Sequence, residues 1–174
     1  MKLFAISILA TGLATAATIY QQTNLVSDIP GLAATTDPNL KNPWGMSFTA
    51  TSPFWVSNGG TDTSTLYNGA GTANALVVSI PGGVPTGQVA NGTTGFTLTP
   101  GNPARFIFAA IDGSISGWNP TVNMTNAIVK VLASPSNVYT GLALGIIGTS
   151  TFLYAANFKT AHIDVYDSNF SSGV

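Results

Sequence analysis

One pattern occurs three times in this chain, and it limits the possible folds more than any other feature. Each copy opens on a short run with an early glycine: Pro43-Trp44-Gly45-Met46-Ser47-Phe48, Pro85-Thr86-Gly87-Gln88-Val89 and Tyr139-Thr140-Gly141-Leu142-Ala143-Leu144. Each then reaches an aromatic-rich run that ends in small or polar residues: Phe54-Trp55-Val56-Ser57-Asn58, Phe106-Ile107-Phe108-Ala109-Ala110 and Phe152-Leu153-Tyr154-Ala155-Ala156-Asn157. Short β-branched and aromatic runs bounded by Asn, Asp, Gly and Pro read as strands and turns. Repeated units of roughly 40–50 residues built from such strands read as antiparallel propeller blades.

Composition supports an all-β reading. Charged residues make up 6% of the chain, against roughly 25% in an ordinary globular domain, while hydrophobic residues make up 45%. All six acidic residues are Asp. Asp shapes turns through its short side chain, whereas Glu favours helix interiors. The nineteen glycines and ten prolines lie between strand-like runs and follow no collagen period. The formal charge of −1 leaves no basic footprint, so nucleic acid is not an expected partner. With no cysteine, the chain has neither a disulfide nor a thiolate ligand.

Met1-Lys2 followed by the apolar run Leu3–Leu13 reads as a signal peptide, with Ala14-Thr15-Ala16 as its cleavage site. Residues 1–16 are therefore assigned to the leader and residues 17–174 to the folded domain, which is expected to be exported and extracellular. The apolar run is too short and interrupted to span a bilayer, so no transmembrane span is expected after cleavage. Three glycosylation sequons lie in the mature region, at Asn91, Asn123 and Asn169.

The first unit reads as four strands: Met46–Phe48, Phe54–Ser57, Ser64–Tyr67 and Ala75–Ile80. The second reads as Gly87–Val89, Phe106–Ala110, Ser114–Trp118 and Ala127–Leu132, with an insertion around Phe96–Leu98 and a loop at Thr99–Pro103. The third runs from Gly141 through Phe152–Ala156 to Ile163–Tyr166, and a leading strand is expected at Ile19–Val26. Three blades leave sheet edges exposed, which natural β-proteins avoid. The expectation is therefore three blades of a six-bladed ring whose remainder lies beyond the chain; pairing with a second copy is the alternative.

The same motifs, together with Ser64-Thr65-Leu66-Tyr67-Asn68, Asp112-Gly113-Ser114-Ile115-Ser116-Gly117-Trp118-Asn119 and Ile163-Asp164-Val165-Tyr166-Asp167, resemble a family of uncharacterised exported six-bladed β-propeller proteins. That family is similar in style to NHL-repeat and lactonase-like propellers. The resemblance implies fold and export, and no settled activity.

Candidate site residues follow from the blade geometry. Asn58, Asp112 and Asn157 fall just after the second strands, on the face where ligands reach a propeller's channel mouth. Such oxygens suit Ca²⁺, which takes several carboxylate and amide ligands, so calcium is the candidate cofactor and Asp112, Asn58 and Asn157 its candidate ligands. The competing role is that these residues shape hairpin turns. Trp44, at an inner-strand entry, is the candidate aromatic contact to a ligand; the other Trp and Tyr residues read as packing. Asp37, Asn42 and Asp62 read as turn residues, the first two close to the same mouth. His162, the single histidine, shares a strand face with Asp164 by alternation, and no nucleophile motif accompanies it. Three functions are therefore in view. The first is a binding or scaffold module for a small-molecule, glycan or protein ligand. The others are a calcium-dependent lactonase-like or esterase-like hydrolase and a glycan-binding adhesion protein.

Overall fold

The computed structural model describes residues 20–173, so the expected leader at residues 1–16 lies outside the described residues. The described chain is all-β. Strands β1 (Val26–Ser27) and β2 (Thr35–Thr36) form a small parallel pair. Strands β3 (Pro43–Ser47), β4 (Phe54–Asn58), β5 (Thr63–Tyr67) and β6 (Ala73–Ser79) form the first antiparallel sheet in chain order. The second sheet begins with β7 (Pro85–Ala90). A side hairpin of β8 (Thr97–Thr99) and β9 (Asn102–Pro103) follows. The sheet is then completed by β10 (Phe106–Ala110), β11 (Ile115–Trp118) and β12 (Ile128–Val131). The third sheet has β13 (Tyr139–Ile147), β14 (Ser150–Asn157) and β15 (His162–Tyr166).

Alternation along the second strands decides how the sheets meet. On β4, Trp55 and Ser57 point one way, with their cross-strand partners Leu66 and Ser64. Phe54, Val56 and Asn58 point the other way, opposite Tyr67, Thr65 and Thr63. The Trp55 face packs on the second sheet. Its ring stacks on Phe106 at 4.2 Å and lies 4.6 Å from Trp118. Phe108, Leu66, Val78 and Ile80 complete this core. The opposite face of the second sheet carries Ile107, Ala109 and Ile115, buried against Tyr139, Leu153 and Ala155 of the third. Strand β10 is thus buried on both faces, which explains its continuous apolar sequence.

The first strands of the three sheets lie side by side, although they belong to different hydrogen-bonded ladders. Glycine makes this approach possible. A Cβ on Gly45 would lie 2.6 Å from the Thr86 carbonyl oxygen and 2.7 Å from the Gln88 nitrogen. A Cβ on Gly87 would lie 2.4 Å from the Leu142 nitrogen and 2.6 Å from the Gly141 carbonyl carbon. Side chains then supply the donors that a shared ladder would have supplied. Gln88 Nε2 donates to the Gly45 carbonyl at 3.0 Å and also to the Trp55 carbonyl. Thr86 Oγ1 donates to the Tyr139 carbonyl at 2.7 Å. Each neighbouring pair of first strands therefore has one glycine contact and one buried side-chain clip.

The expected six-bladed ring is not formed. The described residues build separate open sheets, and nothing closes them into a ring. The NHL-repeat and lactonase-like propeller assignment falls with it. The repeat does encode sheet stacking, but closure would need the outer face of the first sheet to meet that of the third. Both faces carry exposed apolar side chains, among them Met46 and Ile163. The leading strand expected at Ile19–Val26 is also corrected. Residues 20–25 form no strand, and pairing starts at Val26. The described residues contain no helix long and apolar enough to cross a membrane.

Gly87→Ala is expected to lower folding stability by about 2–3 kcal/mol, because backbone rather than a movable side chain blocks the added methyl. Gly92→Ala, where an added Cβ meets nothing within 4 Å, is expected to change stability by less than about 0.5 kcal/mol. Urea unfolding of both variants checks the difference.

Candidate functional site

A groove of about 440 Å³ crosses the row of first strands. It is lined by Pro43 to Met46 of β3 with the preceding Asn42, by Gly87 and Gln88 of β7, and by Thr140, Gly141 and Leu142 of β13. The glycines that let the strands approach leave the groove floor as bare backbone. Trp44 stands on its rim and is 46% exposed, while Trp55 and Trp118 are 2% and 5% exposed. No charged side chain lines the groove.

The other expected ligand residues lie apart from it, each tied into its own sheet. Asn58 is fully buried, and its Nδ2 donates to Thr65 Oγ1 at 2.9 Å and Thr63 Oγ1 at 3.2 Å. Its Oδ1 is buried without a hydrogen-bond partner. Asp112 Oδ1 accepts the Ser114 amide at 2.9 Å and shapes the turn between β10 and β11. Asn157 Oδ1 accepts the Val138 amide at 3.1 Å. Among the described residues, no hydrogen bond joins any two of Asn58, Asp112 and Asn157.

Asp62 Oδ1 accepts the Val84 amide at 2.6 Å and anchors the entry to β7. Asp62 and Asn42 both adopt left-handed backbone, with φ of 54° and 50°. Asp37, expected as a solvated turn, is instead buried, and its Oδ2 accepts the Tyr67 hydroxyl at 2.7 Å. Of the sequons, Asn91 is closed off, because its Nδ2 donates to the Ala104 carbonyl at 2.8 Å.

This geometry overturns the calcium-dependent hydrolase. No group of three His, Cys, Asp or Glu side chains able to hold a metal occurs among the described residues. Ca²⁺ needs six to eight oxygens, roughly. Here Asp112 Oδ1 and Asn157 Oδ1 already accept backbone amides, and these three residues do not supply such a set. The row of channel aromatics expected for a glycan-binding adhesion protein is not formed among the described residues: Trp55, Trp118, Tyr67 and Tyr166 are buried in packing.

A polar network that the sequence did not disclose sits between the second and third sheets. The Tyr139 hydroxyl donates to Asp164 Oδ2 at 2.8 Å and lies 2.6 Å from the Tyr166 hydroxyl. Asn157 Nδ2 also donates to Asp164 Oδ2, at 2.9 Å, and Asn137 Nδ2 donates to the Tyr139 hydroxyl at 3.1 Å. The carboxylate of Asp164 is thus directed at Tyr139 and Asn157. His162, its same-face neighbour, is exposed. Burial, reinforced by the hydrogen bonds to Tyr166 and Asp164, holds the Tyr139 hydroxyl far above the ordinary tyrosine range. Burial also raises Tyr166, with the Asp164 charge adding and the Tyr139 hydrogen bond opposing. Tyr67 is raised by burial, opposed by its hydrogen bond from Thr65 and assisted by Asp37. These phenols act as neutral structural donors. The available signal for the network was the alternation that placed Asp164 and Tyr166 on one strand face. For Gln88 and Thr86 it was a polar residue on either side of a glycine in a buried strand.

No family model matches the chain. It is similar to uncharacterised proteins of Acanthamoeba polyphaga mimivirus. One is 32% identical over 169 residues, covering 90% of this chain and 40% of the relative. A second is 31% identical over 158 residues, covering 84% of this chain and 41% of the relative. The chain thus spans about 40% of the length of these relatives. Neither name carries an activity.

The tyrosines set an alkaline limit on stability. Their folded pKa values lie above the unfolded value of about 10, so their contribution is complete below that pH. As pH rises further, the unfolded chain gives up protons that the folded chain retains, and stability falls. Tyr139→Phe is expected to make this fall shallower between about pH 10 and 11.5, by roughly one proton's worth of slope. Urea midpoints measured across that range test the difference.

Proposed function

We propose that this chain is a recognition domain that binds an uncharged small molecule in the groove across β3, β7 and β13. The observation that carries this reading is Trp44. Among three tryptophans it alone is held at a solvent-facing groove, where its ring can cover a flat apolar ligand face. The groove's composition favours the same ligand class. Its backbone floor and the Gln88, Asn42 and Thr140 side chains offer hydrogen bonds, and no fixed charge is present to pair with an ionised ligand. Asn58, Asp112 and Asn157 serve this site indirectly, by fixing strand ends and turns. The leader-like pattern at Met1–Ala16 supports action after export.

Titration with a panel of uncharged cyclic compounds, alongside carboxylate analogues of the same shapes, tests the reading. Neutral members are expected to shift the fluorescence of Trp44, because the other two tryptophans are buried. Trp44→Ala is expected to weaken binding about tenfold, and Trp44→Phe to retain most of it. Equal binding by Trp44→Ala, or a preference for the anionic analogues, would overturn it.

A further inference from the structure

The sequons at Asn91, Asn123 and Asn169 differ in what their side-chain amides already do, and that difference singles out one of them. Attaching a sugar to an asparagine replaces one of the two N–H groups on Nδ2. An asparagine whose fold uses both N–H groups cannot carry the sugar without leaving a buried carbonyl unpaired. The Ser or Thr two positions on must also be reachable, because it completes the recognised motif.

Asn91 fails on each count. It is 8% exposed, and its Nδ2 donates both to the Ala104 carbonyl at 2.8 Å and to the Gly95 carbonyl at 3.2 Å. Its Oδ1 accepts the Thr93 amide and the Thr93 hydroxyl, so the second motif residue is engaged as well. Asn169 is exposed, but its Nδ2 donates to Asp167 Oδ2 at 3.3 Å. The central residue of its sequon, Phe170, is buried edge-on against Phe96, and the Ser171 amide is held by Asp167 Oδ1 at 2.9 Å.

Asn123 has neither restraint. It lies on the connection between β11 and β12, where its Oδ1 accepts the Thr125 amide at 3.1 Å and the Asn126 amide at 3.0 Å. Those bonds fix which end of the amide faces the backbone. Among the described residues, Nδ2 has no hydrogen-bond partner, and it is not closed off from solvent. Met124 is 55% exposed, and Thr125 is exposed beside it. The loop itself is fixed: Trp118 Nε1 donates to the Met124 carbonyl at 3.0 Å, and the Ser79 amide donates to the Thr125 carbonyl at 2.8 Å. A sugar on Asn123 therefore breaks no bond of the fold. None of these loop residues lines the Trp44 groove.

We infer that Asn123 is a site of N-linked glycosylation on the exported chain, and that folded chains carry no sugar at Asn91. The donor class is a sugar carried on a polyprenyl diphosphate. A bond forms between Nδ2 and the anomeric carbon, and the bond from that carbon to the diphosphate oxygen breaks. The amide loses one proton to the transferase's base, the diphosphate leaves with the bonding pair, and nothing is oxidised or reduced. The inference rests on export, which the leader-like pattern at Met1–Ala16 supports.

The test is production of the full chain in cells whose secretory pathway performs N-glycosylation. Folded protein is taken from the medium, with circular dichroism verifying its structure. Enzymatic release of the glycans in heavy-oxygen water marks each formerly occupied asparagine for peptide mass spectrometry. The mark is expected at Asn123, with less at Asn169 and none at Asn91, because chains modified at Asn91 cannot close that turn. Thr125→Ala keeps the amides that Asn123 binds and is expected to lose the mark at Asn123, whereas Thr125→Ser is expected to keep it. Four results would overturn the proposal: secreted chain unmarked at Asn123, folded secreted chain marked at Asn91, a mark at Asn123 that survives Thr125→Ala, or a chain that stays in the cytosol without sugar.

Discussion

Everything in this fold depends on the close approach of three first strands that share no ladder. Strands of one sheet sit roughly 4.8 Å apart because hydrogen bonds hold them there. Strands of different sheets normally stand about 10 Å apart, separated by side chains. Gly45 and Gly87 remove those side chains at the crossing points, so backbone meets backbone. Gln88 and Thr86 then satisfy the Gly45 and Tyr139 carbonyls that the arrangement would otherwise leave buried and unpaired. Once these contacts are set, the sheets can only fan outward, and the two aromatic and aliphatic cores fill the wedges between them.

The unusual composition follows from that geometry. A stack of sheets connected by tight turns needs many short side chains that bond to nearby backbone. Asn68, Asn91, Asp112, Asn119, Asn123 and Asp167 each accept the amide two residues ahead. Asn and Asp are spent on turns, and the buried Asp37 and half-buried Asp164 are held by tyrosine hydroxyls. Little is left with the clustering that acid–base or metal chemistry requires. The groove over the glycine row is accordingly neutral, and its most distinctive side chain is an indole.

Much of this was legible in the sequence. The β4, β10 and β14 runs were recognisable from aromatic and β-branched content, and β10 coincides with its expected span, Phe106–Ala110. The repeat also marked an early glycine in each copy, and close strand approach occurs at Gly45 and Gly87. Ring closure did not follow, because a repeat specifies how one unit meets the next and says nothing about where the stack ends. The structural roles that Asn58, Asp112 and Asn157 do show have a related origin. Equivalent positions in successive units are equivalent in local geometry, and here that geometry is a strand end or a turn. The buried bond between Asp37 and Tyr67 was hidden because it joins residues thirty positions apart across an irregular segment.

The central claim concerns contacts between backbones of different sheets, and nuclear Overhauser measurements read them directly. The account predicts cross-peaks from the Gly45 α-protons to the Gln88 amide proton and from the Gly87 α-protons to the Leu142 amide proton. It also predicts slow hydrogen exchange through β10, which is buried on both faces. Absence of both cross-peaks, with the three sheets exchanging as independent units, would contradict it.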